Sequence, residues 1–172
     1  MRVYLLRHGP AGSRDASRWP DDSQRPLTPR GRERTEQAAR GLVSLEPEPT
    51  LILTSPLARA AQTAKLLRSA YARAVEVEEF DALAPGGSYR AIVQRLAAAG
   101  ANDAIVLVGH EPDLGKLAGV LVFGAPASSL PLKKAGACSI HFSAEVRAGA
   151  GRLHVFLTPR VLRRLARKAV KV

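Results

Sequence analysis

The chain has 172 residues, enough for one domain with a real core. No apolar run approaches the ~20 residues of a membrane-spanning helix, and the single cysteine, Cys138, excludes an internal disulfide and a cysteine-rich metal site. The net charge of +11 suits an anionic partner, yet an Arg-rich, Ala- and Gly-rich composition accounts for it equally well.

The chain opens on Val3-Tyr4-Leu5-Leu6, a short buried strand that delivers Arg7-His8-Gly9 to its carboxyl end. The Arg7-His8 pair interrupts the apolar run and no small-residue cleavage site follows. A secretory signal is therefore not expected, and a cytoplasmic location is the default. Pro10 to Pro26 reads as a polar loop, long enough to suggest function, and carries the only tryptophan, Trp19. Thr28-Pro29 then supplies an N-cap and a first-turn proline for a helix to about Leu45, stopped by Glu46 to Pro49.

Leu51 to Thr54 is a second buried strand. Ser55-Pro56 repeats the cap-plus-proline signal, opening a helix from Leu57 to about Tyr71 with Arg59 in its first turn. Val75 to Phe80, with alternating glutamates, reads as a half-exposed or edge strand. A loop, Asp81 to Gly87, leads to Ser88, which can cap a helix to Ala99. Ala104 to Val108 is the clearest buried strand; it ends in Gly109-His110-Glu111-Pro112, and a helix runs through about Phe123. After a loop at Ala125–Pro131, two more strands are expected around Ala135–Phe142 and Leu153–Leu157, joined by a turn at Ala148–Gly151. Pro159 opens a C-terminal helix. Short apolar strands alternating with helices predict one three-layer α/β/α domain over residues 1–172 with a mainly parallel sheet.

In a parallel sheet, ligands lie beyond the carboxyl ends of the strands. Arg7 and His8, Arg59, and His110 would meet there. Two arginines and two histidines, with helix N-termini close by, suit a phosphoryl group better than a metal.

These segments together resemble the histidine phosphatase superfamily, the branch that includes the cofactor-dependent phosphoglycerate mutases. The resemblance rests on Arg7-His8-Gly9, the Ser55-Pro56-Leu57-Ala58-Arg59-Ala60-Ala61-Gln62-Thr63-Ala64 helix start, and Val108-Gly109-His110-Glu111-Pro112. Asp22 to Gly31, with Arg25-Pro26-Leu27-Thr28-Pro29-Arg30-Gly31, and Phe156-Leu157-Thr158-Pro159 look like the smaller, SixA-type phosphohistidine phosphatases. The resemblance implies a phosphoglycerate mutase-like fold and no metal or cofactor. It makes His8 the nucleophile that becomes phosphorylated, with Arg7, Arg59 and His110 holding the phosphoryl oxygens.

One departure stands out: the carboxylate that usually protonates an ester leaving group has no clear counterpart, Asp81 being the nearest candidate. Imidazole, whose conjugate acid has a pKa of about 6.5, leaves far more readily than an alkoxide. Phosphohistidine on a protein is therefore the expected substrate, a histidine-phosphotransfer domain among the possible partners. Without a long insertion to cover a small molecule, the site is expected to be open. A small-molecule phosphomonoesterase or mutase is the alternative enzyme. A basic nucleic-acid- or phosphoprotein-binding module is the non-enzymatic one, although interleaved aromatic and basic residues for base stacking are missing. Neither nucleic acid nor a membrane is an expected partner.

Other residues carry plainer readings. His141 and His154 are expected to be structural, Cys138 a small buried hydrophobe, and Glu111 a charge favouring the following helix N-terminus. Trp19 could pack or line the rim of the site. The last helix is read with Val161, Leu162, Leu165, Ala166, Ala169 and Val170 on an apolar stripe. Arg160, Arg163, Arg164, Arg167, Lys168 and Lys171 lie on a solvated basic face, or on a contact surface for an acidic partner.

Overall fold

A computed structural model describes residues 1–45, 48–127 and 130–169. Strand β1 (Arg2–Arg7) is followed by a 3-10 turn (Asp22–Gln24), helix α1 (Pro29–Val43), strand β2 (Leu51–Thr54) and helix α2 (Ala58–Arg68). Strand β3 (Glu76–Glu79), a second 3-10 turn (Asp81–Leu83), helix α3 (Tyr89–Ala97), strand β4 (Ala104–Gly109) and helix α4 (Asp113–Phe123) come next. Strands β5 (Ala137–His141) and β6 (Arg152–Leu157) and helix α5 (Pro159–Ala169) complete the order. Among the residues read from sequence, Glu46, Pro47, Val170 and Lys171 lie outside the described ones, as do the side chains of Lys168 and Ala169 and part of the Ala125–Pro131 loop.

The six strands form one sheet in the order β3-β2-β4-β1-β5-β6. The first four are parallel; β5 and β6 add an antiparallel pair at the far edge. Alternate side chains of each central strand enter two separate cores, so the strands read as unbroken apolar runs. Val3, Leu5, Leu53, Ile105 and Leu107 pack against Ile92, Leu96, Leu114, Leu117 and Leu121 of α3 and α4. On the other face Tyr4, Leu6, Ile52, Val106 and Val108 meet Ala38, Ala39 and Leu42 of α1, Ala60, Ala64 and Leu67 of α2, and Leu162 of α5. The layers are helix, sheet, helix.

Local signals explain most boundaries. Thr28 Oγ1 accepts the Gly31 N–H at 2.9 Å and Pro29 occupies the first turn of α1. Ser88 caps α3 through Ala91 N, and Gly124, at φ 84°, ends α4 in the left-handed conformation. The glutamate-bearing β3 is an edge strand.

Three sequence expectations are corrected. Helix α2 begins at Ala58 and ends at Arg68 rather than running from Leu57 to Tyr71, and its N-cap, Leu57, has no capping side chain. Ser55, expected as that cap, lies outside the helix: its hydroxyl accepts the Leu57 N–H at 3.3 Å and sits 2.9 Å from His110 Nε2, while Leu57 itself takes the extended N-cap conformation. Val161 is 41% exposed, beside rather than within the buried stripe that Leu162 and Ala166 form.

Helix α5 docks on α1 with very close backbone approach. A Cβ at Gly41 would collide with the Leu162 carbonyl, so a glycine is required at that crossing. On its outer side Arg160, Arg163, Arg164 and Arg167 surround a depression of about 270 Å³.

Candidate active site

Strand register brings the site together. Arg7 pairs with Gly109 and Thr54 with Val108, so His8 and His110 leave their strands at the same level, with Ser55 on the third adjacent strand one residue below them. Backbone bonds continue the ladder one step further: His8 N–H donates to Gly109 O at 3.0 Å, and Ser55 N–H to Val108 O at 2.9 Å. Arg59 arrives from the first turn of α2, which follows β2. His110 sits at the strand end, before α4 begins at Asp113, rather than at the helix start.

His8 is only 7% exposed. Its Nδ1 lies 2.7 Å from the Gly9 carbonyl. A carbonyl oxygen only accepts, so Nδ1 carries the proton and Nε2 the lone pair. Gly9 is itself clamped: its N–H donates to Thr63 Oγ1 at 3.0 Å, and a Cβ there would run into Thr35 Oγ1. A glycine is thus needed to let the carbonyl reach His8 between α1 and α2. Burial, opposed by the Gly9 bond and reinforced by His110, Arg59 and Arg7, pushes the His8 pKa down to about 3. The ring is neutral at pH 7.

The His110 ring stands 5.0 Å from that of His8 between centroids, inclined by 53°. It too is buried, with Nε2 2.9 Å from Ser55 Oγ. Burial first, then the Arg59 charge, lowers its pKa to about 4.

Both arginines are anchored at one end. Arg7 Nη1 donates to Leu132 O at 2.8 Å. Arg59 Nη1 donates to Asp22 O at 2.9 Å, and its Nη2 pairs with Asp22 Oδ2 at 3.2 Å. The Nε of each is buried with no acceptor among the described residues. Burial lowers both guanidinium pKa values, and both remain cations at pH 7. Their unspent donors, beside two neutral imidazoles, suit an oxyanion with several acceptors.

Several contributors were not legible as site residues. Asp22, in the long first loop, binds Arg25 Nε at 2.7 Å as well as Arg59. The Arg25 bond is the main reason its carboxyl sits below the usual range, so Asp22 stays ionised. The sequence cue is that Asp22 opens the segment to Gly31 that resembles the SixA-type proteins, three residues before Arg25, but nothing in that pattern assigns it to the site. Ser55 was read as a cap, although a serine directly after a buried strand can equally face the strand end beside it. The Glu111 carboxylate lies beside Gly115 in the first turn of α4, and its Oε1 accepts Leu132 N–H at 2.9 Å. Glu111 thereby fixes the segment whose carbonyl holds Arg7.

Asp81 is not brought to the cluster. It is exposed at the start of its 3-10 turn, and Ala82 and Leu83 line the small cavity beside His110 with Tyr89 and Asp113. The Asp113 carboxylate accepts from Tyr89 Oη and Gly86 N, each at 3.1 Å. His141 and His154 stack at 4.2 Å at the opposite end of the sheet, since His141 pairs with Arg2. Burial raises the Cys138 thiol to about 12, so it is an inert hydrophobe. Trp19 borders a separate groove of about 310 Å³ with Arg18, Leu27 and Pro29.

A sheet with this order and a basic, histidine-bearing site at its carboxyl edge defines a phosphoryl-handling α/β enzyme class. Residues 3–84 match the histidine phosphatase superfamily (branch 1). An uncharacterized protein of Picosynechococcus sp. is 40% identical over 155 residues, covering 89% of this chain and 88% of that protein. The structure of the protein histidine phosphatase SixA complexed with tungstate superposes with a TM-score of 0.80 at 25% identity, over 94% of this chain and 99% of that one. A mycobacterial glucosyl-3-phosphoglycerate phosphatase shares the fold with a TM-score of 0.67 at 20% identity, over 91% and 98% of the two chains. The chain belongs to the histidine phosphatase superfamily, with the phosphoglycerate mutase-like fold of that group and a SixA-like form. It is a phosphatase of that superfamily.

Proposed function

We propose that the chain removes phosphoryl groups from phosphohistidine on proteins, with His8 as the covalent nucleophile. The carrying observation is the His8 Nδ1 contact with the Gly9 carbonyl, which leaves the Nε2 lone pair free beside Arg7, Arg59 and His110. In the first step Nε2 attacks phosphorus. The substrate's P–N bond breaks, and its electron pair leaves on an imidazole that already carries a proton on its other nitrogen. Arg7, Arg59 and His110 hold the oxygens on which charge is spread. Phosphorylated His8 keeps its Nδ1 proton against Gly9. Water then attacks phosphorus, the P–Nε2 bond breaks with its electron pair returning to Nε2, and both water protons leave with the phosphate as H2PO4⁻, which loses one to solvent on forming HPO4²⁻.

The choice of substrate is supported by leaving-group chemistry and by likeness to the structure of the protein histidine phosphatase SixA. Beside His110 the lining offers Ala82 and Leu83 where an acid would serve an ester. General-acid assistance contributes typically ~10²–10⁴-fold, so its weakness penalises alkoxide leaving groups most. The phosphoprotein partner and a cytoplasmic site of action belong to the same reading.

The test compares a phosphohistidine-bearing histidine-phosphotransfer domain with phosphoserine and p-nitrophenyl phosphate, and traps the phosphoenzyme. The phosphohistidine protein is expected to be turned over at least tenfold faster than phosphoserine, with labelling lost in His8→Ala. Comparable turnover of both, with Asp81→Asn impairing only the ester, overturns the substrate assignment. Parent-level activity in His8→Ala overturns the mechanism.

A further inference from the structure

Ser55 has no assigned role in the cycle above, yet it is fully buried against a site histidine. Its Oγ has two neighbours. The Leu57 N–H donates to it at 3.3 Å, and His110 Nε2 lies 2.9 Å away. A buried hydroxyl seeks an acceptor for its own proton. Leu57 supplies only a donor, so the acceptor within reach is Nε2. An Nε2 that accepts a proton bond must carry its lone pair there, which puts the ring proton of neutral His110 on Nδ1. Among the described residues Nδ1 has no hydrogen-bond partner.

His8 shows the complementary arrangement. Its Nδ1–H is spent on Gly9 O, and its lone pair is on Nε2. The two rings, 5.0 Å apart, are thus fixed by different partners, the first as a nucleophile and the second as a donor.

We propose that Ser55 is a positioning residue that holds His110 in the Nδ1–H tautomer, so that His110 donates to a phosphoryl oxygen while His8 attacks phosphorus. The catalytic consequence rests on the proposed role of His8; the tautomer itself does not. If the proton moved to Nε2, His110 would turn a lone pair toward an anionic oxygen, replacing an attraction with a repulsion. Losing one preorganised donor of this kind costs ~10²–10³ in kcat. The depressed pKa of His110 agrees, because a doubly protonated ring would need no partner to choose between tautomers.

Nitrogen-15 NMR of the histidine rings at pH 7 reads the tautomer directly. The expected result is Nδ1–H for His110 in the parent, and Nε2–H or an exchanging mixture in Ser55→Ala. With p-nitrophenyl phosphate as probe, kcat of Ser55→Ala falls ~10²–10³-fold while KM changes little, and Ser55→Thr, which keeps the hydroxyl, recovers to within about tenfold of the parent. An Nε2–H form of His110 in the parent overturns the inference. So does parent-level kcat in a folded Ser55→Ala chain. Should the parent hydrolyse no phosphate probe, the phosphatase mechanism fails, and the NMR result still decides the tautomer.

Discussion

Two buried histidines held neutral make stability fall with acid in a calculable way. An unfolded histidine takes up its proton near pH 6.5, whereas His8 does so near 3 and His110 near 4 when folded. Between those values the unfolded chain binds more protons, so stability rises with pH across the window and is lost as pH falls through it. Each such group contributes a slope of about 1.4 kcal/mol per pH unit. Over the 1.5 units from 6.5 down to pH 5, that is about 2 kcal/mol per histidine and about 4 kcal/mol for the pair. A total stability of ~5–15 kcal/mol makes this easy to see. The measurement is urea unfolding at pH 7.5, 6 and 5 on the parent, His8→Asn and His110→Asn. Each variant is expected to lose about half of the excess pH dependence, because asparagine does not titrate. Variants as pH-sensitive as the parent, or a parent equally stable at pH 7.5 and 5, would refute the reasoning that burial keeps both rings neutral.

The other expectations concern space around the site and its supports. Gly9→Ala drives a methyl into Thr35 Oγ1 and displaces the carbonyl that orients His8. Activity should fall at least ~100-fold, and adding Thr35→Ala should restore part of it, as steady-state assays of the double variant would show. Gly41→Ala raises helix propensity by up to ~1 kcal/mol but collides with the Leu162 carbonyl. Net destabilisation of about 1–3 kcal/mol in urea, with faster hydrogen exchange in α5, is expected. Ala82→Glu places a carboxyl in the cavity beside His110. It should raise phosphoserine hydrolysis at least ~tenfold and leave phosphohistidine turnover nearly unchanged in parallel assays.

The layered fold was legible because its strands are buried on both faces and announce themselves as apolar runs between capped helices. Ala104–Val108 and Thr28-Pro29 are the clearest examples. His8, Arg59 and His110 could be placed together because a parallel sheet puts all its strand ends on one side. What failed were questions of which way a side chain turns. Ser-Pro after a strand carries the same signal whether the serine caps the next helix or faces its neighbour strand, and register decided for the neighbour. Asp81 begins a tight turn in which a step of one residue swings Ala82 and Leu83 inward and leaves the acid in solvent. The Asp22 bond to Arg59 joins positions 37 residues apart through an irregular loop, where no periodicity guides the reading.

Charge and reactivity are divided between different residue types here. A pocket for a phosphoryl group needs positive charge, yet positive charge on the nucleophile would remove its lone pair. Arginine keeps its proton at any physiological pH, so Arg7 and Arg59 can bind without competing for the proton balance of the rings. Their charges, together with burial, help to keep His8 and His110 neutral. In the proposed cycle His8 becomes positively charged only on accepting phosphorus, at the moment when the Nδ1 contact with Gly9, 2.7 Å beforehand, becomes a charge-assisted bond. That bond stabilises the intermediate while keeping Nδ1 protonated, so the ring that leaves in the second step leaves as neutral imidazole. The bare Cα of Gly9, which lets the carbonyl approach between Thr35 and Thr63, therefore serves both halves of the reaction.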